Sequence, residues 1–274
     1  MPENANICGL RIWGSSMYNF KAFRDIINYN RKRVVDYIGE TFINRENGRA
    51  KPVTGPGICF FCGAAAPATR EHVLPRWAFD KDPRRWFSTM INGQSQSYDK
   101  STVPCCQLCN NEVLNEIEKA VSTILTSRDI KTNPLMDREL EAIIAWLELI
   151  DYKFQIISIT RRFVAHKEHG FNDYLSDFPI SVLDPAFDYS PNKVLQVLRA
   201  GMRRMGMKSK AMRLNSLVTF KTHNVSFYFF HKIDDFIFLE MPHKGVALLY
   251  FYRQEFETPE AAHDAAMEKI KANY

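Results

Sequence analysis

The chain has 274 residues, of which 46% are hydrophobic, 24% charged and 13% aromatic, a usage that excludes a largely disordered chain. With 12 Gly and 13 Pro it is neither fibrous nor of low complexity. The net charge of +5, with a pI of about 8.8, permits a nucleic-acid partner without establishing one. Met1 to Gly14 lacks the basic start and long apolar centre of a secretory signal. No span reaches the roughly 20 apolar residues of a membrane helix. A cytoplasmic protein is expected.

The first predicted element is an amphipathic helix over Asn19 to Glu40, with Phe20, Phe23, Ile26, Ile27, Val34, Val35 and Ile38 on its apolar side. Arg45 to Gly57 is a polar, Gly- and Pro-bearing linker. The cysteines follow. Of the six in the chain, Cys8 stands alone and reads as a small buried hydrophobe. In a reducing compartment the others read as a metal site and not as disulfides. Cys59-x-x-Cys62-Gly63 forms one knuckle and Cys106-x-x-Cys109 the other. Zinc takes four such thiolates in a tetrahedron. Cys105, at x3 spacing from Cys109 and so one residue further than Cys106, is also tolerated by spacing. Cys106 is preferred because it repeats the first pair.

Between the knuckles lies Thr69-Arg70-Glu71-His72-Val73-Leu74-Pro75-Arg76-Trp77. Val73 and Leu74 suit a short strand, which Pro75 ends. Alternation along a strand sends Glu71 and His72 to opposite faces unless it twists or bulges. Arg70, Arg76, Arg84 and Arg85 surround this stretch and form a candidate phosphate-binding rim. Trp77 reads as a core anchor, and Trp77 to Lys100 as a long loop. Directly after the second knuckle, Asn110 and Asn111 stand at the start of a helix whose apolar positions are Val113, Leu114, Ile117, Val121, Ile124 and Leu125. Asn in that place also suits a simple helix cap.

A longer helix is expected from Pro134 to about Arg162, with a stripe of Leu140, Ile143, Ile144, Leu147, Ile150 and Phe154. A further helix spans Asn192 to Met205. It opens an interval, Asp188 to Asp234, that contains no acid but holds Lys193, Arg199, Arg203, Arg204, Lys208, Lys210, Arg213, Lys221 and Lys232. That interval is a candidate phosphate-contacting surface. Strands are expected at Leu217 to Phe220, Val225 to Phe230, Phe236 to Leu239 and Val246 to Tyr252. Turns at Thr222 to Asn224, Lys232 to Asp235 and His243 to Gly245 make them a small antiparallel meander. Pro259 to Ala272 closes the chain as a helix. No nucleotide phosphate loop, dinucleotide glycine pattern or nucleophile elbow occurs.

The order knuckle, acid-His, knuckle, Asn, helix resembles the HNH endonuclease family in its zinc-ribbed ββα-metal form. Cys59, Cys62, Glu71, His72, Val73, Pro75, Cys106, Cys109 and Asn110 carry the likeness, over about residues 56 to 128. The resemblance implies DNA as substrate and hydrolysis of its phosphodiester bonds. His72 would be the general base. Glu71, usually Asp in the family, and Asn110 would hold one Mg²⁺ or Mn²⁺, and the four-cysteine zinc would be structural. Three features depart from the family pattern. Its Asn before the second knuckle is replaced here by Lys100 to Pro104, where Ser101 or Asn92 would substitute. Leu114 stands where a second helix ligand often sits, which makes Asn111 and Asn115 the fallback pair. The third is the long loop.

The expected fold is α+β. A nuclease module at residues 56–130 follows an N-terminal helical arm and linker at 1–55. A helical connector at 131–180 and a β-rich region at 181–274 complete it, the last for DNA or partner binding. Similar stand-alone proteins of the family occur in prokaryotes and phages, often in antiviral defence, and work with an ATPase or sensor protein. The rival expectations are a zinc module that binds nucleic acid or protein without cutting, and a nuclease subunit silent until assembled.

Overall fold

A computed structural model describes residues 20–38, 57–65, 69–79, 86–88, 95–97, 101–127, 135–160, 199–208 and 214–273. The architecture is mixed helix and strand, as expected. Helix α1, Phe20–Ile38, turns Phe20, Phe23, Ile27, Val34 and Ile38 inward at helical spacing. Strand β1 is Thr69–His72, so it lies just before the expected Val73-Leu74. Those two residues bend instead into the core, with 0% and 1% exposure. Pro75 then leads the single turn α2, Arg76–Phe79. The long loop contains a small antiparallel hairpin, β2 at Trp86–Ser88 and β3 at Ser95–Ser97.

Strand β4, Thr102–Cys105, pairs antiparallel with β1, placing Thr69 opposite Cys105 and His72 opposite Thr102. Pro104 is tolerated because this sheet has only two strands and the second edge of β4 needs no ladder donor. The chain then enters a helical segment at whose start Cys106 Sγ faces the Cys109 N–H. A π-helical turn at Cys109–Leu114 runs into α3, Asn115–Ser127. The helix thus starts earlier than expected, and Asn110 lies inside its first turn.

Helix α4, Asp137–Thr160, begins three residues after Pro134, which is outside the described residues. Glu139 Oε2 reaches back to accept the Met136 N–H at 2.8 Å, half of a capping box. The expected stripe is buried apart from half-buried Leu140, but so is every residue from Ala142 to Ile157. The helix is enclosed on all sides. Each large apolar side chain there contributes roughly 1.5–3 kcal/mol by leaving water.

The C-terminal strands are β5 (Leu217–Lys221), β6 (Tyr228–Lys232), β7 (Phe236–Met241) and β8 (Val246–Phe251). They form one antiparallel sheet in the order β5-β8-β7-β6. The expected meander fails at its first turn. β5 does not pair with β6 but returns beside β8, a Greek-key arrangement. Residues 222–227 therefore cross the ends of β8 and β7. Buried Glu240 of β7 pins the crossing by accepting from Thr222 Oγ1 and, at 2.8 Å, from Asn224 Nδ2. One sheet face, with Ile237, Leu239, Leu248 and Tyr250, joins the same apolar core as α1, α3 and α4. The opposite face, with Phe230, Phe238, Leu249 and Phe251, is covered by Ala262 and Ala266 of α5, Pro259–Asn273. Of the expected helix at 192–205, the described residues 199–204 are helical.

Candidate metal centre and the Glu71–His72 strand

The first knuckle folds because Gly63 takes φ 69°, a left-handed conformation that side chains disfavour. A Cβ at Gly63 would also meet Arg33 Cδ at 2.9 Å. The turn is closed by Gly63 N–H to Cys59 O and Cys59 N–H to Ala64 O, both 2.8 Å. Phe60 N–H donates to Pro104 O at 3.2 Å, tying the knuckle to β4. From α4, the Tyr152 hydroxyl donates to Phe60 O at 2.6 Å. In the second knuckle Cys109 N–H points at Cys106 Sγ, 3.4 Å away.

These turns bring the sulfurs of Cys59, Cys62, Cys106 and Cys109 within 4.8 Å of one another, a set able to hold a metal ion. Cys62 and Cys106 are 3.7 Å apart. Four thiols at this spacing fit tetrahedral zinc by donor type and number. Cys106, not Cys105, completes the set. Cys105 is fully buried and its S–H lies 3.5 Å from Cys106 O. Hydrogen bonds from Cys105, Cys109 and Cys62 hold the Cys59 thiol far below its ordinary range. The same bond to Cys59, followed by burial, pushes Cys105 up.

Alternation on β1 puts Thr69 and Glu71 on one face and Arg70 and His72 on the other, as expected. On the first face, Asn110 Nδ2 donates to Thr69 Oγ1 at 3.2 Å, and that hydroxyl donates to Cys105 O at 2.6 Å. Asn110 thus reaches the face that carries Glu71. In the fallback pair, Asn115 Nδ2 donates to the Asn111 backbone carbonyl at 3.1 Å. Ser101 is buried, and its carbonyl accepts the Val73 N–H at 2.8 Å. On the second face, Arg70 donates across the hairpin to Thr102 Oγ1 at 2.7 Å and Thr102 O at 3.2 Å.

Two residues of this site escaped the sequence reading. Lys153 of α4 is wholly buried, and its ammonium lies 2.6 Å from Glu71 Oε1, 2.8 Å from His72 O and 3.3 Å from Glu118 Oε1. Burial alone would lower the Lys153 pKa, but the two carboxylates outweigh it and raise it. Burial pushes Glu118 up to about 7, partly offset by Lys153. A signal existed: Lys153 is the one cation between Ala142 and Ile157, and a lysine in so apolar a run needs an acid facing it.

The basic candidates divide. Arg70, Arg76, Arg199, Arg203 and Arg204 are exposed. Lys208 is instead paired with Asp234 at 3.1 Å and half-buried. Arg84, Arg85, Lys210 and Arg213 lie outside the described residues, as do Cys8 and Asn92. Trp77 is a core anchor, stacked on Trp146 at 5.1 Å. Among the described residues, no helix is long and apolar enough to cross a membrane. Compared with known proteins, the chain matches no family model, no curated protein and no solved structure.

Proposed function

We propose that this chain is a zinc-pinned phosphodiesterase of HNH type that cuts DNA, with His72 as general base. The observation that supports it is the four-cysteine cluster, which joins the knuckle at residues 57–65, itself bonded to β4, to the start of the helix carrying Asn110. Glu71 and His72 end the strand held by that joint. In the reaction a water oxygen attacks phosphorus and passes a proton to an imidazole nitrogen of His72. The bond to the 3′-oxygen breaks, and that oxygen takes a proton from solvent. A neutral imidazole suits the first step near pH 7.

Glu71 and Asn110 would hold the divalent ion. Both offer hard oxygen donors, and Thr69 links Asn110 to the Glu71 face of β1, which fits Mg²⁺ or Mn²⁺. When bound, such an ion supplies charge stabilisation for the phosphorane and the leaving oxygen. The zinc would be structural. DNA is favoured by the net charge of +5 and by exposed Arg70 and Arg76 on or beside the strand.

One observation favours a second reading. Lys153 already neutralises Glu71, as it would in a module that binds nucleic acid without cutting. Cleavage of supercoiled and single-stranded DNA with Mn²⁺ or Mg²⁺ separates the two, with zinc content measured in every sample. His72→Ala should keep its zinc and lose about 10²–10⁴-fold in rate, the usual contribution of a general base. Equal cleavage by wild type and His72→Ala would sink the assignment. Zinc-loaded wild type that binds DNA but never cuts it would leave the binding module.

A further inference from the structure

The Glu71–His72 pair is held from outside the hairpin. Lys153 projects from α4, more than eighty positions along the chain from β1, and is 0% exposed. An ammonium has three protons, and here three acceptors meet them: Glu71 Oε1, His72 O and Glu118 Oε1. The first contact fixes where the Glu71 side chain points. The second fixes the backbone at the last residue of β1, just before the chain bends at Val73. The third brings in Glu118, from α3, as a second acid of the same cluster. A lysine with no access to solvent cannot touch a DNA phosphate, so it acts through its partners.

We propose that Lys153 is a positioning residue for Glu71 and His72, and that it holds Glu71 in place for a divalent cation. The proposal rests on the phosphodiesterase reading above. It makes α4 part of the site, although the sequence motif ends at α3. Buried partners of this kind orient metal-binding side chains, and their loss usually reduces metal affinity or activity 10- to 100-fold. The opposite role is also physically distinct: a lysine competing with the cation for Glu71 would make binding tighter when removed.

The test uses the full-length, zinc-loaded chain as wild type, Lys153→Met and Lys153→Met/Glu118→Gln. The double variant carries one buried acid fewer, and so keeps the question open to experiment should the single variant fail to fold. Zinc content and melting temperature report the fold. Mn²⁺ binding is read by electron paramagnetic resonance, and cleavage by its kcat and KM for DNA. In whichever variant folds, Mn²⁺ binding should weaken about 10- to 100-fold and kcat should fall with KM for DNA unchanged. Wild-type Mn²⁺ binding and wild-type kcat in a folded variant would overturn the proposal, as would tighter Mn²⁺ binding. If those variants are normal while His72→Ala is inert, the reaction stands and the role of Lys153 falls. If wild type neither binds Mn²⁺ nor cuts DNA, both fall together.

Discussion

At the scale of single residues, the cysteine spacing carried most of the information. Two x₂ knuckles in one chain predict four converging thiolates, and four converge. Spacing tolerated both Cys105 and Cys106 but favoured Cys106, which repeats the first pair, and Cys106 is the one that converges. The structural reason lies in β4: Cys105 is its last residue, paired opposite Thr69, and Cys106 is the first residue beyond the ladder. Cys109→Ser and Cys106→Ser should therefore lose zinc, whereas Cys105→Ser should keep one ion per chain. Metal analysis of the purified variants checks this, and zinc retained by Cys106→Ser but lost by Cys105→Ser would reverse the assignment. Chelating the zinc should also release β1 and β4, since two four-residue strands are too short to persist alone. For Lys153 the sequence signals the need of an acid but not which one. Its partners are distant in sequence, and no local pattern records which acid a buried lysine will meet.

At the scale of elements, helices were read well and enclosure poorly. The periodicity of α4 shows a stripe, yet the helix is buried all round because α1, α3 and the sheet each take a side. Its polar residues survive by pairing. Glu148 accepts from Arg24 Nε of α1 at 2.7 Å and from the Tyr250 hydroxyl of β8 at 2.9 Å. Arg24 is 1% exposed, and its Nη2 has no hydrogen-bond partner among the described residues. Removing either charge strands the other, so Arg24→Met or Glu148→Met alone should destabilise the fold by about 3–5 kcal/mol. The double variant should cost less than either, because no charge is left buried. Denaturant midpoints of the three proteins decide it, and additive losses would refute the coupling. Burial also raises Glu148 above its ordinary value near 4.5, against the pull of Arg24. The folded state then holds that proton more tightly than the unfolded chain. Its contribution is full below pH 4.5 and is lost as pH rises through the raised value. The strand order was missed on similar grounds: a short polar segment predicts a hairpin, whereas Glu240 of β7 and the Gly245 carbonyl hold it in a crossing.

At the scale of the whole molecule, charge is the property the sequence states most directly, and its distribution is what the fold adds. A count of cations between Asp188 and Asp234 treats Lys208 and Arg203 alike. Folding separates them, because Lys208 is drawn to Asp234 while Arg199, Arg203 and Arg204 remain exposed on one helical segment. If that segment tracks a DNA backbone, each arginine that neutralises a phosphate releases condensed counterions. The logarithm of affinity then falls with the logarithm of salt by about 0.9 per contact on double-stranded DNA. Arg203→Ala/Arg204→Ala should lower the steepness of that dependence by about 2, read by fluorescence anisotropy across roughly 50–200 mM NaCl. Lys21→Ala removes an exposed cation already paired with Asp25 at 2.8 Å, and should leave the slope unchanged. This comparison distinguishes contact from overall charge, because a general electrostatic attraction would respond to any lost cation. A slope unaltered in the double arginine variant would move the DNA away from residues 199–204 and back to the strand that carries Arg70.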